Sequence, residues 1–108
     1  MLSHDNRIAA KDCASMEDVR REIDHIDEQL VDLIAERFHY VDRAWQFKDN
    51  PSDATVPWRI QQVVDKVMTR AKDKNLPTGL VEALWRQMIG WFIQYEEDKL
   101  QNKNKTGA

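Results

Sequence analysis

Cysteine, glycine and proline are all scarce in this chain of 108 residues, and each shortage excludes a class of structure. The single cysteine, Cys13, has no second cysteine with which to form an internal disulfide, and this favours a reducing compartment. Three glycines and three prolines are too few for the frequent turns of an all-β protein. The composition therefore favours a small helical domain.

Long apolar runs are also missing. The longest, residues 88–93 counting Gly90, is far too short to span a bilayer. Residues 1–15 contain no apolar core of the kind found in a secretory signal. We therefore expect a cytoplasmic protein with no membrane partner.

An excess of positive charge is absent as well. Sixteen basic and 19 acidic side chains give a formal net charge of −3, whereas nucleic-acid-binding domains are normally basic. The three histidines, at positions 4, 25 and 39, match no metal-ligand spacing. We therefore expect neither a nucleic-acid partner nor a bound metal.

Three amphipathic segments account for most of the chain. The first begins at Met16 and extends for about 33 residues, with apolar residues in steps of three and four, until a turn cluster at Pro51. The second begins at Pro57 and ends near Asn75, and the third begins at Thr78 and fades at about Leu100. In each segment the apolar residues share one face of the predicted helix, which we call its apolar stripe. In chain order the three stripes are Val19, Ile23, Ile26, Leu30, Leu33, Val41 and Ala44; Ile60, Val63, Val64, Val67, Met68 and Ala71; and Val81, Leu84, Trp85, Met88, Ile89 and Phe92.

This pattern predicts an all-α fold of three helices with one long N-terminal helix. We expect flexible tails at 1–15 and 101–108 and a helical domain at 16–100. The two later helices are too short to cover the first. A helix longer than 25 residues without internal caps is typical of a coiled coil or a partner chain, so we expect a homodimer packed along the long helices.

Charged residues interrupt the apolar stripes at a few positions. In the first segment, the spacing of three and four residues continues from Leu33 to Arg37 and on to Lys48. On one helix these two cations would lie about 16 Å apart on the same face. Arg59 borders the second stripe, and Glu96 extends the third. On these inward faces the cations outnumber the single acid, Glu96. Unpaired buried charge is costly, so this local excess of cations predicts a pocket for a small polyanion. The alternative is that the cations reach solvent or pair across the dimer with acids such as Asp24, Asp27 or Glu28.

Arg20 borders the first stripe near its start. On one helix it would lie about 25 Å from Arg37 and about 42 Å from Lys48. It is therefore either a solvated surface arginine or a residue that serves the pocket of a partner chain.

Four parts of the sequence resemble the all-helical chorismate mutases: the runs 19–27, 35–37 and 47–48, and Arg59 at the start of the second helix. The likeness covers about residues 16–100, and segments 40–48 and 89–93 are most similar to the isochorismate-pyruvate lyase branch. The resemblance implies the intertwined homodimer of the chorismate mutase II type, in which each of two sites borrows an arginine from the partner. It also implies a pericyclic reaction that needs no cofactor.

The resemblance further implies roles for five residues. Arg20 of one subunit and Arg37 of the other would bind the substrate carboxylates, and Lys48 would donate to the ether oxygen and to a carboxylate. Arg59 would hold the ring carboxylate, and Glu96 lies where many members have Gln. Because a protonated Glu96 could donate to the ether oxygen and a carboxylate could not, we expect activity to fall with rising pH.

The sequence leaves three functions open, namely two reactions and one non-catalytic role. At position 60 mutases commonly have an acid, whereas the lyase branch has an apolar residue, so Ile60 favours the lyase. At position 96 a Glu occurs among mutases, so Glu96 favours the mutase. We favour chorismate mutase, with isochorismate-pyruvate lyase, which gives salicylate and pyruvate, as second choice; one pocket could carry both activities. A non-catalytic helical dimer or adaptor would instead use its tryptophans for packing or partner binding, namely Trp45, Trp58, Trp85 and Trp91.

Overall fold

The computed structural model describes residues 7–106, in which helices are the regular secondary structure and no strand occurs. Three α-helices follow one another: α1 (Met16–Ala44), α2 (Pro57–Asp73) and α3 (Thr78–Thr106). Short 3₁₀ turns occupy Ala10–Asp12, Trp45–Phe47 and Pro51–Ala54. The predicted fold class, all-α with three helices and a long first helix, is confirmed.

The chain forms two compact units, Met1–Tyr40 and Val41–Ala108. The first consists mainly of α1. The second contains the last turn of α1, the turns at 45–47 and 51–54, and the helices α2 and α3.

In the first unit, side chains tie the residues before α1 to the helix. The Ser15 hydroxyl accepts the Asp18 N–H at 3.1 Å, which caps the helix, and the Asp18 carboxylate accepts the Ala14 N–H at 3.0 Å. Arg7 donates to Glu22, and this bond lowers the pKa of the Glu22 carboxyl. Residues 7–15 thus carry contacts that their composition did not predict. Residues 1–6, also expected to be a flexible tail, lie outside the described residues.

The apolar stripe of α1 is open to solvent in the single chain. No residue of α1, all of which is described, is buried. The exposed fractions of its central apolar residues lie between 45% and 64%; these residues are Ile23, Ile26, Leu30, Val31, Leu33 and Ile34. A monomer leaves much of this apolar surface in water.

The core of the second unit lies between α2, α3 and the 51–54 turn. Among the described residues of this unit, six apolar ones are buried, and Val64 of α2 and Leu100 of α3 have no exposed surface; the others are Ala54, Ala71, Val81 and Phe92. Leu84 of the predicted third stripe is 56% exposed, so the buried face of α3 is narrower than its apolar pattern.

The ends of α1 and α3 differ from the predicted ends. Helix α1 stops at Ala44, and Lys48 follows the 45–47 turn in an extended conformation (φ −102°, ψ 159°). The predicted 16 Å spacing along one helix axis therefore does not apply to Lys48. Helix α3 continues past Leu100 to Thr106, because Leu100 is buried and Lys103 bonds to the 45–48 segment. Residues 107–108 lie outside the described residues.

Helix α2 agrees with its prediction at both ends. Pro57 occupies the first turn, where its missing N–H costs nothing, and the helix ends at Asp73. Asn75 then adopts a left-handed conformation (φ 58°), and the Leu76 N–H returns to the Ala71 carbonyl at 2.8 Å.

No helix within residues 7–106 combines the length and apolar character needed to cross a membrane.

Candidate active site

The second unit brings together a cation and an acid that are 48 residues apart in sequence. Lys48 Nζ donates to Glu96 Oε2 at 2.8 Å. The Lys48 side chain is 23% exposed and Glu96 is 6% exposed. Removing either partner would leave the other charge poorly solvated, so the two side chains depend on each other.

Glu96 owes its burial to its register on α3. Phe92, Glu96 and Leu100 follow one another at four-residue intervals and share one face, and all three are buried. The carboxylate therefore emerges from an apolar surface, where its interaction with a cation is stronger than in water.

Hydrogen bonds hold the backbone of Lys48 at both ends. Its N–H donates to the Trp45 carbonyl at 3.0 Å, and its carbonyl accepts from Lys103 Nζ at 2.9 Å. The same Lys103 ammonium donates to the Gln46 carbonyl at 3.2 Å. Lys103 thus bonds to one carbonyl inside the 45–47 turn and to one directly after it.

A second group of side chains ties the end of α1 to α3. Asp42 Oδ1 accepts from the Tyr95 hydroxyl at 2.6 Å and from Trp45 Nε1 at 2.9 Å. The bond to Asp42, together with burial, raises the pKa of Tyr95 to about 12. Tyr95 also stacks on Trp91, with ring centroids 5.7 Å apart. The phenol therefore stays a hydrogen-bond donor throughout the physiological pH range.

Sequence reasoning missed Asp42, Tyr95 and Lys103. The only signal was position, since Tyr95 directly precedes Glu96 and Asp42 lies one turn before the 45–47 turn. Their partners are 53 to 57 residues away in sequence, and no periodicity links them.

The two predicted arginines of α1 lie in the first unit. Arg37 is half-buried, and its Nη1 atom is shielded from solvent. Arg20 is exposed and borders a shallow surface groove lined by acidic and basic side chains, namely Glu17, Arg21, Asp24, His25 and Glu28. Arg20 is thus accessible to another chain.

The predicted cation of α2 does not join the Lys48–Glu96 pair. Arg59 is exposed, and its Nη1 donates to Gln62 Oε1 at 2.6 Å. The following residue, Ile60, is half-buried and offers no hydrogen-bonding group. The described residues also hold no group of three His, Cys, Asp or Glu side chains arranged to bind a metal.

The tryptophans of the adaptor alternative differ in their surroundings. Trp58 and Trp91 are exposed, whereas Trp45 and Trp85 are half-buried, and Trp45 bonds to Asp42. Solvent-exposed side chains at 37 and 48 would have supported that alternative, but both are half-buried.

In the Lys48–Glu96 pair, the Lys48 ammonium can stabilise negative charge on a neighbouring group. An ammonium in a partly desolvated setting stabilises negative charge that develops on a nearby oxygen, and it needs no metal to do so. No nucleophile is required for a reaction in which one bond breaks as another forms within the same molecule.

Comparison with known proteins agrees with these features. Residues 19–97 match the family described as chorismate mutase type II, and the match contains Arg20, Arg37, Lys48, Arg59 and Glu96. Isochorismate pyruvate lyase of Pseudomonas aeruginosa is 31% identical over 83 residues, which cover 77% of this chain and 82% of that protein. The family match covers most of the chain and includes both Lys48 and the buried Glu96, so this all-helical chain belongs to the chorismate mutase type II family.

Proposed function

We propose that this protein is a chorismate mutase, which converts chorismate to prephenate. The observation that carries the proposal is the contact between Lys48 Nζ and the buried Glu96 carboxylate. Chorismate is a dicarboxylate with an enolpyruvyl ether side chain. Its ether C–O bond breaks while a new C–C bond forms to the ring, so atoms and electrons balance within one molecule.

The proposed mechanism is restraint combined with electrostatic stabilisation. Arg37 and an Arg20 from a second chain bind the two carboxylates and hold the enolpyruvyl group over the ring. Lys48 donates to the ether oxygen as negative charge grows there, and this contact is stronger in the transition state than in the ground state. Arg59 turns from Gln62 to the ring carboxylate when substrate is bound.

The proposal includes a homodimer with shared sites. The exposed apolar stripe of α1 supports it, because a second copy of the same stripe would remove both from water. The length of α1 supports it too, since Arg20 and Arg37 lie 17 residues apart, about 25 Å along the helix, and cannot both reach one small ligand from a single chain.

Isochorismate pyruvate lyase is the second candidate, and two observations favour it. Ile60 offers no hydrogen bond to a ring hydroxyl, which weakens discrimination in favour of chorismate. The Pseudomonas aeruginosa relative is named as such a lyase. In that reaction the same ether bond breaks, and a ring hydrogen passes to the departing pyruvate.

Product analysis tests both candidates. The full chain is given chorismate and isochorismate separately, and prephenate, salicylate and pyruvate are quantified by chromatography. Prephenate as the faster product supports the mutase, and faster formation of salicylate with pyruvate replaces it by the lyase. If neither substrate is converted, both candidates fail and the adaptor alternative gains support.

A substitution at Lys48 tests the mechanism. Lys48→Ala should lower kcat/KM by about a hundredfold or more, because it removes a charge placed to act on the transition state. Lys66→Ala, at an exposed position of α2, is the matched control and should leave kcat/KM unchanged. Equal activity of the two variants would remove Lys48 from the mechanism.

A further inference from the structure

Tyr95, Asp42 and Trp45 form a hydrogen-bonded group that the proposed chemistry does not use. One carboxylate oxygen, Asp42 Oδ1, accepts both the phenol of Tyr95 and the indole N–H of Trp45. A carboxylate that accepts two donors is a strong acceptor, and the two bonds fix its orientation. The group therefore joins α3 to the beginning of the 45–47 turn.

These three residues flank both members of the Lys48–Glu96 pair. Trp45 supplies the carbonyl that accepts the Lys48 N–H at 3.0 Å, and Tyr95 is adjacent to Glu96 on α3. The contacts close a ring through Tyr95, Asp42, Trp45, Lys48 and Glu96. A continuous series of contacts thus connects the Tyr95 hydroxyl with the backbone that carries the Lys48 ammonium.

We propose that Tyr95 and Asp42 are positioning residues, which hold the 45–48 segment on α3 so that the Lys48 ammonium stays at Glu96. The inference rests on the proposed function in one respect, namely that Lys48 acts on the substrate. Neither residue touches the substrate in this proposal. Lys103 is a second tie on the same segment, through the carbonyls of Gln46 and Lys48.

The substitution that isolates this effect is Tyr95→Phe. It removes one hydroxyl and keeps the ring that stacks on Trp91. The matched control is Tyr40→Phe, because Tyr40 is the other tyrosine of the chain and is 74% exposed. The two variants lose the same atom and differ in whether that atom holds Asp42.

Hydrogen exchange of the Lys48 amide provides a readout that does not require activity. Exchange of an amide in a turn follows local opening, so Tyr95→Phe should lower the protection of the Lys48 amide by about tenfold. Amides inside α2, such as that of Val67, should keep their protection, and Tyr40→Phe should change neither. Unchanged protection at Lys48, or an equal loss throughout α2, would overturn the proposal.

A kinetic cycle distinguishes positioning from general stabilisation. Tyr95→Phe should lower kcat about tenfold with little change in KM, since a small misplacement of a catalytic group is costly. In a Lys48→Ala background the same substitution should have no further effect on kcat, because Tyr95 acts through Lys48. Additive losses would contradict the proposal.

The two readouts separate this inference from the proposed function. If the wild-type chain converts neither substrate, the proposed function fails, and amide exchange still decides whether Tyr95 holds the 45–48 segment. Asp42→Asn provides a second variant, which weakens the same contacts and should lower Lys48 protection in the same way. Wild-type activity with unchanged exchange in both variants would leave the function standing and remove the positioning role.

Discussion

At the scale of single residues, Glu96 is the contact that bears most directly on the proposed role of Lys48. The buried carboxylate accepts from Lys48 at 2.8 Å and neutralises part of its charge. A carboxylate also repels an ether oxygen that is gaining negative charge, whereas an amide or a protonated acid can donate to it.

Replacement of Glu96 by glutamine should therefore preserve or increase activity at mildly alkaline pH. We expect kcat/KM to rise by up to about tenfold there, because the amide can donate to the ether oxygen and the carboxylate cannot. A pH–rate profile of both proteins measures this. If the two profiles have the same shape, Glu96 has no part in the pH dependence of the reaction.

Tyr95 gives a residue-scale prediction about alkaline pH. Its pKa is raised from 10.0 to about 12 in the folded chain, mainly by the bond to Asp42. The unfolded state thus releases the phenolic proton first, so the stability that the bond provides is present below pH 10 and is lost as pH rises to about 12. Ultraviolet titration should show a phenolate step near pH 12 that Tyr95→Phe lacks. A step that persists in Tyr95→Phe would rule out this assignment.

At the scale of helices and turns, α3 contacts most other elements of the second unit. It packs against α2 and the 51–54 turn, and it carries Tyr95, Glu96 and Lys103. Asp53 stabilises the 51–54 turn by accepting the N–H groups of Asp49 and Asn50 at 3.3 and 3.0 Å. The loop after Lys48 is therefore packed on α3, not detached from it.

Truncation of Leu100 should destabilise this unit. Leu100→Ala removes a fully buried side chain and should lower the free energy of unfolding by about 3 kcal/mol. Leu80→Ala, at an exposed site of the same helix, should cost less than about 1 kcal/mol. Urea unfolding at matched protein concentration measures both, and similar losses for the two would contradict the burial of Leu100.

At the scale of the whole molecule, the proposed site needs two chains. The exposed stripe of α1 and the separation of Arg20 from Arg37 both support this arrangement. If each site combines residues of two chains, two differently inactivated variants should recover activity when mixed, whereas two monomeric variants should not.

Complementation between inactive variants tests the shared site. Arg20→Ala and Lys48→Ala should each be nearly inactive, but mixed and re-equilibrated at equal concentrations they should recover about a quarter of wild-type activity. Half of the dimers are then mixed, and one of their two sites is intact. A mixture as inactive as its components would exclude a site that combines Arg20 of one chain with Lys48 of the other.

A charge on the stripe provides the matching test of association. If the proposed dimer forms along α1, Leu33→Glu should convert it to a monomer in sedimentation experiments, because the charge would be buried between chains. Gln29→Glu adds the same charge at an exposed polar position of α1 and is the control.

The sequence by itself determined the three helices, because each depends on local apolar periodicity and on prolines that act within a turn or two. It also singled out Lys48 and Glu96, since charges that interrupt an apolar stripe are visible in one dimension. Only the tertiary structure decided that α1 ends at Ala44, that Lys48 contacts Glu96 and that Tyr95 holds Asp42. These features depend on hydrogen bonds between groups about 50 residues apart, and local patterns carry no information about which distant partners meet.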